Sequence, residues 1–252
     1  MLSAALDAHA PVEALYYSPD AALSGAAAAL VERARVSGVR VFALQRGVLE
    51  RVADAVTPQP VVGVVGDVHR PLGAVLESAA PGEPVVVCVD VRDPGNLGAI
   101  VRAADAAGAA GVVCCDTSAD LYNPKCVRAS AGSLFHVPVV LDLPAPDVLD
   151  ALGRAGYVRA ATVVRGGVDY ATAPLGDRVA VVLGNEAHGL DATIASSLDA
   201  WLSIPMYGGA ESLNVAMAAT VVCFELARRR RHATGATSRG ALGEPVPARP
   251  VR

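Results

Sequence analysis

Three short stretches of the chain carry residue types that can do chemistry. In the first, Val89 to Ala109 (VDVRDPGNLGAIVRAADAAGA), Asp90 closes an apolar run and Pro94-Gly95 is expected to turn the chain. Asn96 is then placed to cap a helix whose apolar stripe is Leu97, Ile100, Val101 and Ala104. Arg102 falls outside that stripe, so its guanidinium either projects toward a ligand or simply meets solvent. The pair Gly95-x-x-Gly98 lacks the G-x-G-x-x-G spacing of a dinucleotide loop, which argues against a nicotinamide-dependent oxidoreductase.

The second stretch, Val179 to Leu190 (VAVVLGNEAHGL), is a fully apolar strand running straight into Gly184-Asn185-Glu186 and then Gly189. Open parallel sheets bind ligands outside the carboxyl ends of their strands, so a cofactor is expected at this exit, with Glu186 as an anchoring carboxylate. The third, Ile204 to Arg230, leads from a short strand through Gly208-Gly209 to Ser212-Leu213-Asn214, the start of a long helix packed through Val215, Ala218, Ala219 and Val222. Ser212 and Asn214 are either capping residues or, with their backbone amides, part of an anion site at that helix start.

Elements must position these residues, and the pattern is one of alternating strands and helices. Before position 66 the expected elements are a helix over Ala21–Ser37, a strand over Val39–Leu44, a helix near Gly47–Ala55 and a strand over Pro60–Val65. Repeated glycines and prolines between Gly66 and Pro84 mark a break. Beyond it come a strand over Val85–Asp90, a helix over Leu97–Ala107, strands over Gly111–Cys115 and Val179–Leu183, and a last helix from about Asn214 to Arg231. That alternation predicts an α/β fold with a mostly parallel sheet covered by helices. The domain reading is residues 1–66, a linker over 67–83, a second domain over 84–232, and a disordered tail over 233–252, which is rich in Gly, Pro and small polar residues.

Composition narrows the classes. A chain of 252 residues with 53% hydrophobic and 18% charged residues builds a core. No secretory signal opens it, and its apolar runs fall far short of the roughly 20 residues a membrane-spanning helix needs. A cytoplasmic protein without membrane attachment is expected. Cys88, Cys114, Cys115, Cys126 and Cys223 show no C-x-x-C pair and no histidine at metal spacing, so they read as buried thiols, with neither a disulfide framework nor a metal site. The net charge is −4, unevenly spread: from Arg228 onward seven arginines face the single acid Glu244, a local +6 that leaves −10 before it. This basic end either touches phosphate or is the solvated end of a helix, where cations suit the dipole.

Taken together, in this order and spacing, the three stretches resemble the SpoU (TrmH) branch of the SPOUT RNA 2'-O-ribose methyltransferases over almost all of residues 84–231. Asn96, Gly98 and Arg102 match the family's N-x-G-x-x-x-R. Gly184, Asn185, Glu186, Gly189 and Leu190 match G-N-E-x-x-G-L, and Ile204, Pro205, Met206, Gly208, Glu211, Ser212, Leu213 and Asn214 match the third motif. The segment Asn123 to Val139 (NPKCVRASAGSLFHVPV) is similar to the one these enzymes place after the first motif.

The resemblance implies a trefoil-knot α/β domain preceded by a small α/β domain like the ribosomal protein L30e, with residues 1–66 binding the RNA. The start of that domain departs from the family, which usually has an extra strand before a segment like LLSAALDA. It implies a homodimer whose active site is completed across the interface, and methylation of a ribose 2'-hydroxyl in structured RNA, ribosomal RNA before transfer RNA. A non-catalytic RNA-binding protein of the same fold is the alternative from another class. S-adenosylmethionine is the implied cofactor, held near Thr162, Leu183, Gly184, Asn185, Gly189, Ile204, Met206, Ser212 and Leu213, with no metal. The implied catalytic set is Asn96, Arg102, Glu186, Ser212 and Asn214. In it Arg102 accepts the proton with substrate phosphate or clamps that phosphate, Asn96 and Glu186 hold the loops and Arg102, and Ser212 and Asn214 position the acceptor. Arg102, Lys125, Arg128 and Ser130 are the implied RNA contacts.

Overall fold

The computed structural model describes residues 1–19, 25–45, 47–52, 59–233 and 235. Residues 1–65 build a three-stranded sheet from β1 (Val12–Tyr17), β2 (Arg40–Ala43) and β3 (Val61–Val65), in the order β2-β1-β3. β1 runs parallel to β2 and antiparallel to β3. Helices α1 (Leu2–Asp7), α2 (Gly25–Val36) and α3 (Val48–Val52) accompany it. Leu15 and Val61 of the sheet meet Val31 and Ala34 of α2, a small core to which Leu2 and Leu6 of α1 add. The sequence expectation contained β2, β3 and the last two helices but not β1. Residues 21–24 and 53–55 of the expected helices, and all of the expected tail except Ala233 and Gly235, lie outside the described residues.

The expected linker 67–83 is more than a connection. It contains α4 (Leu72–Ser78), whose Val75 is 1% exposed and belongs to the core of the second sheet. His69 forms a bridge to Val139, and the Arg70 N–H donates to the Val139 carbonyl at 2.7 Å. Scattered glycines and prolines hid one apolar stripe of only two turns.

The second sheet has seven strands, all parallel, in the order β6-β5-β4-β9-β7-β10-β8: β4 Val85–Cys88, β5 Gly111–Cys115, β6 Val139–Leu143, β7 Val158–Val163, β8 Val168–Asp169, β9 Val179–Leu183 and β10 Ala200–Ser203. Every residue of β4, β5 and β9 is buried, as continuous apolar runs covered on both faces require. One face packs under α5 (Pro94–Ala107), α6 (Pro124–Ser130) and α9 (Val215–Ala233), the other under α4, α7 (Ala145–Arg154) and α8 (Ala192–Ala195). Gly98 of α5 has a packing role: a side chain there would collide with the Cys126 carbonyl and the Ala129 methyl, so only glycine lets α6 lie directly on α5.

All five cysteines are free and buried. Burial pushes the thiols of Cys115, Cys126 and Cys223 up to about 12, which removes them from nucleophilic chemistry at neutral pH. Among the described residues no helix is long and apolar enough to cross a membrane, and no cluster of His, Cys, Asp or Glu has metal-binding geometry.

Candidate active site

Parallel pairing sets the site. Cys88 of β4 stands opposite Leu183 of β9, so the loops that follow, Val89–Asp93 and Gly184–Asp191, leave adjacent strands at the same end of the sheet. β7 is the other neighbour of β9, and β10 pairs with β7, so the segments after Val163 and Ser203 emerge at that end too. The three sequence motifs therefore meet outside the carboxyl ends of the strands, where open α/β sheets bind ligands.

Their polar side chains form one continuous chain. Asn214 Nδ2 donates to Asn96 Oδ1 at 2.9 Å, and Asn96 Nδ2 donates to Glu186 Oε1 at 2.8 Å. The Glu186 carboxylate also accepts the N–H groups of Arg92 at 3.3 Å and Asp93 at 3.4 Å. Burial pushes the Glu186 pKa up, but the Asn96 amide and these backbone donors outweigh it and hold the carboxyl below its usual range. At neutral pH it is an ionised acceptor, committed to fixing the first motif's loop.

Asn96 does not cap α5 as expected. Asp93 does, accepting the Asn96 N–H at 2.9 Å, with Pro94 in the first helical turn instead of in a preceding turn. A carboxylate three residues ahead satisfies the helix start and leaves the Asn96 side chain free to link Glu186 and Asn214. Lys125 Nζ reaches Asp93 Oδ2 at 2.6 Å, and that ammonium, with the Asn96 N–H, holds Asp93 below the usual carboxylate range.

Asn185 ties the second loop to the first. Its Nδ2 donates to the carbonyl and carboxylate of Asp90 at 3.1 and 2.9 Å, while its Oδ1 accepts the N–H groups of Ala187 and His188. Asp90 sits in the left-handed region, φ 57°, where aspartate is among the tolerated residues, and Arg92 Nε donates to its carboxylate. Asn214 Oδ1 accepts the Ala216 N–H and so caps α9 as well as joining the site.

A cleft of about 670 Å³ opens beside this chain. It is lined by eight of the nine expected cofactor residues: Thr162, Gly184, Asn185, Gly189, Ile204, Met206, Ser212 and Leu213. Leu183 does not line it. Its side chain is fully buried and its carbonyl accepts the Val89 N–H at 2.8 Å, because the strand's last residue still belongs to the sheet. Sequence reasoning missed Trp201, Leu190 and Glu211 in the lining. Trp201 lies on β10, three residues ahead of Ile204 where the third motif begins, and a tryptophan so close to that motif was the available signal.

The structure separates other expected residues from this cluster. The Arg102 side chain is exposed and makes no hydrogen bond or ion pair among the described residues, so Asn96 and Glu186 do not hold it. Two turns of α5 lie between them. Lys125 and Arg128 are exposed on α6, but Ser130 is fully buried and donates to the Val127 carbonyl at 2.8 Å, which withdraws it from RNA contact. The basic end of α9 is partly turned inward, through Arg229 and Arg230. Arg228 and Arg229 pair with Glu225, Arg229 also donates to the carbonyls of Ala173 and Tyr170, and Arg230 donates to those of Gly108 and Ala107.

Residues 83–224 match the model of the SpoU rRNA methylase family. A 23S rRNA (guanosine(2553)-2'-O)-methyltransferase, RlmP of Bacillus subtilis (strain 168), is 37% identical over 190 residues, 75% of this chain and 73% of that protein. A 23S rRNA (uridine(2479)-2'-O)-methyltransferase of Streptomyces viridochromogenes is 40% identical over 151 residues, 58% of this chain and only 52% of its own length. Among solved structures, an AdoMet-bound rRNA methyltransferase from Sinorhizobium meliloti aligns with a TM-score of 0.77 at 32% identity, over 90% of this chain and 84% of that one. The SpoU methyltransferase AviRb from Streptomyces viridochromogenes, in complex with AdoMet, aligns at 0.78 and 32% identity over 91% of this chain and 87% of that one. With the three motifs joined by one hydrogen-bond chain beside the cleft and a family match over more than half its length, the chain belongs to the SpoU rRNA methylase family.

Proposed function

We propose that this protein transfers a methyl group from S-adenosylmethionine to a ribose 2'-hydroxyl of ribosomal RNA in the cytoplasm. The observation that carries this reading is the Asn214–Asn96–Glu186 hydrogen-bond chain along the edge of the cleft, which joins all three motifs. The cleft suits the cofactor. Its volume falls within the few hundred to about 1,000 Å³ of small-molecule sites, and Leu190, Ile204, Met206 and Leu213 give it apolar walls. Glu186 and Glu211 supply carboxylates that favour a cationic ligand.

When bound, S-adenosylmethionine supplies a methyl group on an already cationic sulfur, so the transfer needs no metal. The chain's residues have three tasks: to orient the acceptor, to receive charge and to exclude water. Asn214 and Ser212 stand at the start of α9 to position the ribose, with Asn96 fixing Asn214. Arg102 grips the phosphate beside the reacting ribose through its guanidinium fork. Free arginine is a poor base, which favours that clamp over removal of the proton by this residue alone.

Residues 1–66 select the RNA and residues 84–232 carry the chemistry. The separate small core of the first sheet and its α/β make-up support an L30e-like unit. The strand order supports the trefoil knot: β10 lies on the far side of β7 from β9, and α9 then returns to pack on α5 and against β9. A homodimer is supported by Met217, Val221 and Phe224, spaced along one face of α9, with Met217 60% and Phe224 46% exposed.

The test is incubation with labelled S-adenosylmethionine and either protein-free 23S rRNA or total transfer RNA, followed by mapping of 2'-O-methyl groups. Labelled ribosomal RNA is expected; efficient labelling of transfer RNA alone would overturn the substrate. Asn96→Ala, which breaks two links of the chain, is expected to lower kcat roughly 10- to 100-fold on the strength of one or two hydrogen bonds.

A further inference from the structure

A strip of surface leads from the segment between the two sheets to the catalytic loop, and most of its cations have no carboxylate partner. Tyr122, Lys125 and Arg128 follow one another at intervals of three residues into and along α6, and all three side chains are exposed. The Tyr122 hydroxyl accepts the Val68 N–H at 3.1 Å and lies 3.3 Å from His69 Nδ1. The next residue, Arg70, is fixed through its own N–H to the Val139 carbonyl, with its side chain exposed. At the other end Lys125 touches Asp93, the residue that caps α5, and α5 presents Arg102.

Charge along this strip is unbalanced toward the positive side. The Asp120 carboxylate accepts the Tyr122 N–H, and Asp93 is committed to Lys125 and the Asn96 N–H. The side chains of Arg70, Arg102 and Arg128 make no hydrogen bond or ion pair among the described residues, and the nearby Asp67 carboxylate is in the same condition. This contrasts with Arg33, Arg154, Arg159, Arg228 and Arg229, each paired with a carboxylate. Exposed arginines fixed on packed elements and left unpaired, with an aromatic ring among them, present what a sugar-phosphate backbone and an unstacked base require.

We propose that His69, Arg70, Tyr122 and Arg128 form the track along which substrate RNA passes between the N-terminal unit and the active site. Arg70 and Arg128 contact backbone phosphates and Tyr122 offers its ring to a base. The proposal rests on the methyltransferase reading and adds the route of the substrate. It also gives the Tyr122 hydroxyl a second task, since it holds the Val68–Arg70 segment against α6 and so fixes where Arg70 stands.

The experiment measures binding of protein-free 23S rRNA between 50 and 200 mM salt, together with S-adenosylmethionine affinity, for the full chain. The double variant Arg70→Gln/Arg128→Gln is expected to bind RNA at least tenfold more weakly at low salt. Its log-log salt dependence should be shallower by roughly 1.5, as expected for two lost phosphate contacts. Cofactor affinity should stay within twofold. Tyr122→Ala should weaken RNA binding severalfold while Tyr122→Phe, which keeps the ring, recovers the stacking part of the loss. Arg154→Gln, on α7 away from the strip, serves as the control and should bind like wild type. RNA affinity and salt slope unchanged in the double variant would overturn the track. If the wild-type protein neither bound nor methylated RNA, the enzymatic reading itself would fail, a distinct outcome.

Discussion

Two regions of this molecule concentrate arginine, and they use it in opposite ways. At the end of α9, Arg228, Arg229 and Arg230 look in the sequence like a basic patch, yet the structure turns at least Arg229 and Arg230 inward onto carbonyls and gives Glu225 to Arg228 and Arg229. On the α5–α6 face, Arg102 and Arg128 are scattered in the sequence and unremarkable in number, but they stand exposed and unpaired. What makes a cation available to a ligand is the absence of an internal partner, not local charge density. A run of like charges at a helix end has nearby carbonyls to satisfy, whereas single arginines on packed helices have only solvent or substrate.

The sharpest way to break this comparison is Arg102→Ala. Methyl transfer should fall by at least about 10²–10³-fold, the scale seen when a charge-stabilising donor is lost, while S-adenosylmethionine binding stays within a few-fold by calorimetry. Activity near wild type would remove Arg102 from the reaction and put both arginine regions in the structural class.

Next in size is the α9 end, where stability is expected to change and chemistry is not. Glu225→Gln leaves Arg229 short of a charged acceptor in a half-buried place and should cost roughly 1–3 kcal/mol in denaturant unfolding. The effect has a pH signature. The guanidinium of Arg228, aided by Arg229, lowers the Glu225 pKa to about 2 in the folded protein. Folding therefore favours the ionised form. The stabilisation is complete at neutral pH and is lost as the pH falls from the ordinary glutamate range toward about 2. The difference in Tm between wild type and Glu225→Gln should shrink over that window; a difference constant with pH would refute the assignment.

Arg230→Ala is a smaller change, expected to cost about 1 kcal/mol through lost bonds to the last carbonyls of α5, with kcat preserved. Smallest of all should be deletion of residues 233–252. It is expected to weaken RNA binding a few-fold at low salt, uniformly across RNAs, because scattered arginines add only screened attraction. A change in the modified nucleotide after this deletion would give the tail a selective role.

How much of this was legible in the sequence depends on what each residue competes with. The bounds of Gly111–Cys115 and Val179–Leu183 were read to the residue, since an apolar run covered on both faces has no alternative use. Glu186 could be read as an anchor from its place after such a strand, although the groups it anchors are 90 and more residues away in the chain. Asn96 was assigned the wrong task because a cap is a local contest, and Asp93 wins it from three residues upstream. Ser130 lies in a segment similar to the family's and Leu183 directly before the second motif, but whether a side chain faces solvent or core is set by packing that local spacing does not encode. β1, β6, β7 and β8 were missed, as were α1, α4, α6, α7 and α8, although α7 carries a clear apolar stripe in Val148, Leu149 and Leu152 that was there to be read.

The margins of the seven-stranded sheet bear on a different property, resistance to aggregation. A large parallel sheet ends in two rows of unpaired peptide groups that invite strand addition from another chain. Here β6 has its outer edge bridged by His69 and covered by the Arg70 N–H, while the opposite margin, β8, is only two residues long and closes on Asp169, whose carboxylate turns back to the Ala171 N–H. Neither margin offers a long, flat template. Replacing Arg70 by proline would remove the N–H that covers β6, and the expected result is faster aggregation on heating at a chain concentration where wild type stays clear.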